Sequence, residues 1–212
     1  MNLYELKKIA SLGEGQHIEF KKNANHPKQI VKEIVGFANA TGGSLFVGIN
    51  DDGTLSGLKF AEDDAIFLST VIEENIIPEL VIKYEIIPLS KASSILHFRI
   101  EEGIEKPYGL RGSNDTKKVL YRVNDQCIQA SRELKNILRG FKNDMGQVIK
   151  YTELENAILK IVDNEKQVTK KQLCNRINFS SRKISDCLVR LVVVGILKII
   201  PAIDGDLYEY HP

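Results

Sequence analysis

Residues 14–57 switch between two hydrophobic periods, and that switch constrains the fold more than any other feature of the chain. His17-Ile18-Glu19-Phe20-Lys21 alternates polar and apolar residues, the period of a strand, with Ile18 and Phe20 on one side and Glu19 and Lys21 on the other. Pro27 then stands where a first helical residue tolerates a missing N–H. Ile30, Val31, Ile34, Val35 and Ala38 follow at helical spacing, predicting a helix with one face on a sheet. Gly42-Gly43 ends that helix, and Leu45-Phe46-Val47-Gly48-Ile49 is the short apolar run of a strand covered on both faces. Asp51-Asp52-Gly53 makes a turn. A strand–helix–strand block with carboxylates and lysines at its ends points to a site for phosphates or a metal.

The rest of the first 140 or so residues continues in alternation. Helices are expected over 3–12, 62–75 and 130–141, with Ser131 as an N-cap, and strands over 81–89, 93–100 and 118–123. Residues 142–150 have no hydrophobic period and include a glycine. The expected organisation is therefore a domain over 1–142, a linker over 143–150, and a second domain over 151–212.

In that second domain, helices over 152–162, 169–176 and 180–194 precede two short strands over 197–200 and 207–210. Three helices and a two-stranded wing are the pattern of a winged helix-turn-helix, whose third helix is expected in the major groove. Between Lys166 and Arg190 stand seven basic residues, Lys166, Lys170, Lys171, Arg176, Arg182, Lys183 and Arg190, against the single acid Asp186. The candidate nucleic-acid contacts are Lys170, Lys171, Asn178, Ser180, Ser181, Arg182 and Lys183, with duplex DNA as the partner.

Overall charge says little, because 29 basic residues against 28 acidic ones leave +1. Cys127, Cys174 and Cys187 are an odd number without a CxxC pair, which fits reduced thiols better than a disulfide framework or zinc site. The N-terminal residues lack the apolar core of a secretory signal, and no run approaches the ~18 apolar residues of a membrane span. A soluble, cytoplasmic protein with no membrane partner is expected. The four histidines show no ligand spacing, and His97 reads as a packed strand residue.

With these residues in view, ExxxxEFK at 14–21 and IVGFANATGGSLFVGINDDGTLSG at 34–57 resemble the Schlafen/AlbA-type domain, once catalogued as a divergent AAA family. KPYGLRG at 106–112 and LYRVNDQCIQAS at 120–131 are similar to two further motifs of that family, although Asn124-Asp125-Gln126 stands where Gly-Ser-Ser is usual. The resemblance implies an α/β (α+β) Schlafen/AlbA-type domain followed by a small C-terminal winged-helix domain. Its bacterial members imply a DNA-binding transcriptional regulator that requires no cofactor. Its animal members imply the alternative, a Mg²⁺- or Mn²⁺-dependent endoribonuclease whose three metal-binding and catalytic carboxylates fall on Glu14, Glu19 and Asp51. Lys21 and Lys22 would then hold the phosphate backbone. No GxxxxGK[ST] is present, so ATP hydrolysis is not expected despite the older label. Binding is the expected activity, and a homodimer would extend the short site that one winged helix reads.

Overall fold

In the computed structural model, which describes residues 1–113, 116–140 and 152–211, the chain opens with helix α1 (Leu3–Leu12). Asn2 caps it, accepting the Glu5 N–H at 2.9 Å while the Glu5 carboxylate accepts the Asn2 N–H. This reciprocal pair satisfies two otherwise orphaned donors and fixes where the helix starts. Gly13, at φ 80°, stops it.

Strand β1 (Ile18–Lys21), helix α2 (Pro27–Asn39) and strand β2 (Gly43–Val47) follow, with β1 and β2 parallel and Phe20 opposite Phe46. The chain continues as α3 (Ala61–Asn75), β3 (Ile76–Ile77), β4 (Lys83–Pro88) and β5 (Ser94–Ile100). The principal sheet runs β1-β2-β5-β4, antiparallel except for its first pair. One face carries Leu45, Val47, Leu96 and Phe98 into a core with α2 and α3. The other carries Phe20, Phe46 and Ile95 into a core under Leu6 and Ala10 of α1. Covering both faces explains why β2 is apolar at consecutive positions.

Short pairings complete this part: β6 (Gly109–Arg111) with β3 and β7 (Lys117–Lys118), and β8 (Leu120–Val123) with β9 (Gln126–Gln129). Sequence periodicity does not predict β3, β6 or β9, which are two to four residues long. The β8–β9 turn is Asn124-Asp125, with Asn124 at φ 55°, a conformation that Asn adopts readily in two-residue hairpin loops. His97 is buried as expected, stacked on Phe46 at 4.3 Å between ring centres and bonded through Nδ1 to Glu85 at 2.9 Å.

The chain divides into two units, Met1–Gln129 and Ala130–Pro212. Helix α4 (Arg132–Gly140) therefore belongs to the second unit and not to the first domain, where its sequence position suggested it. The reason is polar as well as apolar. Ile137 joins the second core, Glu133 binds Lys170 and Ser185, and Ser131 binds Asp206. The expected linker at 143–150, and the end of the helix at 141, lie outside the described residues.

The second unit continues as α5 (Glu153–Glu165), β10 (Val168–Thr169), α6 (Lys170–Arg176), α7 (Ser181–Val193), β11 (Leu197–Ile200) and β12 (Leu207–Tyr210). Thr152 and Thr169 head capping boxes, and Ser180 accepts the Lys183 N–H at 3.4 Å, so each helix begins where a hydroxyl takes a free amide. The strands form an antiparallel sheet in the order β10-β12-β11. Ile158, Leu173, Ile184, Leu188, Leu191 and Tyr208 fill the core. Among the described residues, no helix is long and apolar enough to cross a membrane.

Candidate functional site

The strand β1 register sends Phe20 towards α1, so Glu19 faces the opposite side of the sheet. That side is not solvent. Glu19 is 4% exposed, and its carboxylate lies between the ammonium of Lys21 and the guanidinium of Arg122, the latter at 2.8 Å. The alternation in the sequence set Glu19 on the face opposite Phe20, and what covers it there is a residue 103 positions later. Arg122 is itself buried. Its Nη1 donates to Glu33 of α2 at 2.6 Å, Nη2 to the Gly15 and Ile18 carbonyls at 2.8 and 3.2 Å, and Nε to the Asn124 carbonyl at 3.0 Å. The guanidinium also lies 4.7 Å from the Phe37 ring centre. One side chain thus ties the loop before β1, helix α2 and the β8–β9 turn together. Gln16 reinforces the same junction through the Arg122 carbonyl and the Asn124 N–H.

Arg122 is the residue that sequence reasoning missed. The available signal was register: Leu120 and Arg122 share a face of β8, and both are buried. An arginine at a core-facing strand position needs carboxylate partners. Burial opposes its charge, but Glu19 and Glu33 outweigh that and raise its pKa. Burial, and then the Glu19 charge, push the Glu33 carboxyl up.

The three carboxylates implied by resemblance share a neighbourhood. Glu14 folds back so that its carboxylate accepts the Phe20 N–H at 2.8 Å. Partial burial raises its pKa and the Phe20 bond lowers it, with Glu19 and Asp51 raising it further and Lys21 opposing them. Asp51 is exposed in the turn after β2, beside an Asp52 held low by hydrogen bonds from Thr54. A hard cation needs several oxygen ligands free to converge. Here the Glu19 carboxylate is committed to two cationic side chains, and among the described residues no three His, Cys, Asp or Glu side chains are grouped to hold a metal ion. As the side chains stand, the donor set does not fit a metal. Lys21 is turned to Glu19, whereas Lys22 is exposed.

The KPYG loop is a structural clamp. Buried Asn39 donates to the carbonyls of Tyr108 and Leu120 at 2.8 and 2.7 Å and accepts the Tyr108 N–H at 2.7 Å, while Lys106 donates to the Ala40 carbonyl at 2.8 Å. Next to it, Lys28 and Lys32 of α2 and Arg111 of β6 line one groove with Val31, Val71, Asn75 and Leu110. This basic groove was not anticipated, because its cations are separated by some 80 residues of sequence.

In the second unit the basic run is less free than its sequence implies. Lys170 donates to Glu133 at 2.7 Å, Arg176 to Glu165 at 2.6 Å and Arg190 to Glu155 at 2.5 Å, and Lys166 lies 3.9 Å from Asp163. The neutralising acids come from α4 and α5, outside the window in which only Asp186 was visible. Lys170, expected to meet phosphate, is half-buried and paired with the buried Glu133. Among the described residues Lys171, Arg182 and Lys183 form no ion pair, and all three are exposed. Arg182 and Lys183 occupy the first turn of α7 with exposed Ser181, beside the exposed Asn178 and the capping Ser180.

No curated protein matches the chain. Among solved structures it is similar to the N-terminal domain of a RecG-related protein from Nitrosomonas europaea, at 19% identity and a TM-score of 0.45 over 72% of this chain and 97% of that one. It is also similar to the DIP2311 protein of Corynebacterium diphtheriae, at 16% identity and a TM-score of 0.44 over 92% of this chain and 34% of that one. Residues 14–131 match the Schlafen, AlbA_2 family model, more than half of the sequence, and the chain belongs to that family.

Proposed function

We propose that this chain binds nucleic acid, that its second unit is a winged helix reading duplex DNA, and that it acts as a transcriptional regulator. The observation that carries the reading is the first turn of α7, which presents Ser181, Arg182 and Lys183 to solvent while four neighbouring basic residues are paired within the unit. Exposed cations at the start of a third helix are the arrangement by which such units meet phosphates and base edges. The succession α5-α6-α7-β11-β12 supports the winged-helix assignment. In the first unit, family membership and the groove of Lys28, Lys32 and Arg111 support a second set of phosphate contacts.

Fluorescence anisotropy of a labelled duplex tests the reading. Binding at about 50 mM salt that weakens steeply by about 200 mM is expected of phosphate-dominated association. A chain that leaves the duplex free at the lower salt is not a DNA binder, and a protein-interaction role would replace this one.

A further inference from the structure

Strand β4 is the outer strand of the principal sheet, and among the described residues of its own unit no strand pairs with its far edge. Ser94 exchanges both backbone hydrogen bonds with Leu58, so its pair with Pro88 across β4 and β5 is a non-bonded one. By the alternation of an antiparallel ladder, Lys83, Glu85 and Ile87 turn their backbone groups towards β5, and Ile82, Tyr84 and Ile86 turn theirs outward. Pro88 falls in the outward set, where its missing N–H costs the sheet nothing. Val81 is 85% exposed and Tyr84 46% exposed beside this edge.

We propose that β4 pairs antiparallel with β4 of a second copy of this chain, extending the sheet across a twofold axis at Tyr84. The sequence of the edge selects both the occupant and the register. A twofold axis perpendicular to a sheet sets one residue opposite itself. Centring on Lys83 or Glu85 opposes like charges, and centring on Ile86 pairs Tyr84 with Pro88. Centring on Tyr84 sets Lys83 opposite Glu85 of the second copy, twice by symmetry, and at a non-bonded pair, where side chains come closest. Tyr84 then meets Tyr84, and Ile82 meets Ile86, through the backbone groups that point outward. Charged residues usually keep an edge strand from pairing. Their spacing here makes the edge complementary to itself, and Pro88 limits how far the pairing runs.

Light scattering of the full chain after size exclusion, over a range of concentrations, tests this. The wild type should run at twice the 23.9 kDa protomer mass. Tyr84→Pro removes an outward N–H and should give protomers. Lys83→Glu and Glu85→Lys should each weaken the dimer, and the double variant Lys83→Glu/Glu85→Lys should restore it. That rescue separates edge pairing from damage to the contacts of Glu85 with His97 and with the Met1 ammonium, which the double variant also loses. A monomeric wild type overturns the proposal, as does a dimer that survives Tyr84→Pro with native circular dichroism.

Discussion

Replacing Arg122 by Met gives the most demanding test of how the first unit is held together. The substitution keeps a long apolar stem against Phe37 and deletes the charge between Glu19 and Glu33, whose side chains are 6% and 17% exposed. It also leaves the Gly15, Ile18 and Asn124 carbonyls without the donor that serves them. Stranding a buried charge by removing its partner costs about 3–5 kcal/mol, a large part of the roughly 5–15 kcal/mol that holds a domain folded. Arg122→Lys keeps the charge but loses the planar fork that reaches several acceptors, so its loss should fall between wild type and Met. Urea titration by far-ultraviolet circular dichroism gives the magnitude, and hydrogen exchange should place the loosening in the loop before β1 and the β8–β9 turn. The pH dependence has a definite sign. Burial already holds the folded pKa of the Glu33 carboxyl above its ordinary value, and losing the Arg122 charge that opposes this raises it further. Stability is then fully present below the ordinary carboxylate range and lost as pH rises through the raised value. A loss under about 1 kcal/mol, within the range of a surface pair, or a loss that grows as pH falls, would refute this account of Arg122.

Other perturbations probe separate parts of the structure. A Cβ at Gly36 would overlap the Cys127 sulfur, so Gly36→Ala should cost about 1–3 kcal/mol, and adding Cys127→Ala should recover much of it in a urea double-mutant cycle. Asn39→Leu leaves the Tyr108 N–H and the Tyr108 and Leu120 carbonyls unpaired in the interior, at about 1–3 kcal/mol for each group stranded, and should free the 106–112 loop in hydrogen exchange. Burial alone would raise the Glu155 pKa, but hydrogen bonds from Thr152 and Arg190 overcome it and bring the value to about 2. The stability Glu155 contributes is therefore present above its unfolded pKa and lost as pH falls from about 4.5 to about 2, and Glu155→Gln should flatten acid unfolding of the second unit in that window.

Much of the fold was legible where local chemistry decides it. Pro27, Ser131, Thr169 and Ser180 mark helix starts, and those starts are where the chain places them. The strands Leu197–Ile200 and Leu207–Tyr210 likewise follow from their apolar periods around a Gly-containing turn. What was not legible depends on partners far apart in sequence. The burial of Glu19 is decided by Arg122, the pairing of Lys170 by Glu133, and the membership of α4 by contacts with α6 and α7. The strands β3, β6 and β9 are too short to show a period. At the candidate interface, the charges at Arg182 and Lys183 could be read directly, whereas the neutralisation of Lys170, Arg176 and Arg190 could not.

The claim that the first turn of α7 meets nucleic acid is tested most directly by the salt dependence of duplex affinity, measured for wild type and for Arg182→Ala/Lys183→Ala. Each phosphate contact contributes about 0.9 to the slope of log affinity against log salt. The double variant should bind more weakly across unrelated sequences, with its slope reduced by about 2. An unchanged affinity and slope, in a variant that folds as the wild type does, would contradict the account and move the interface elsewhere on the chain.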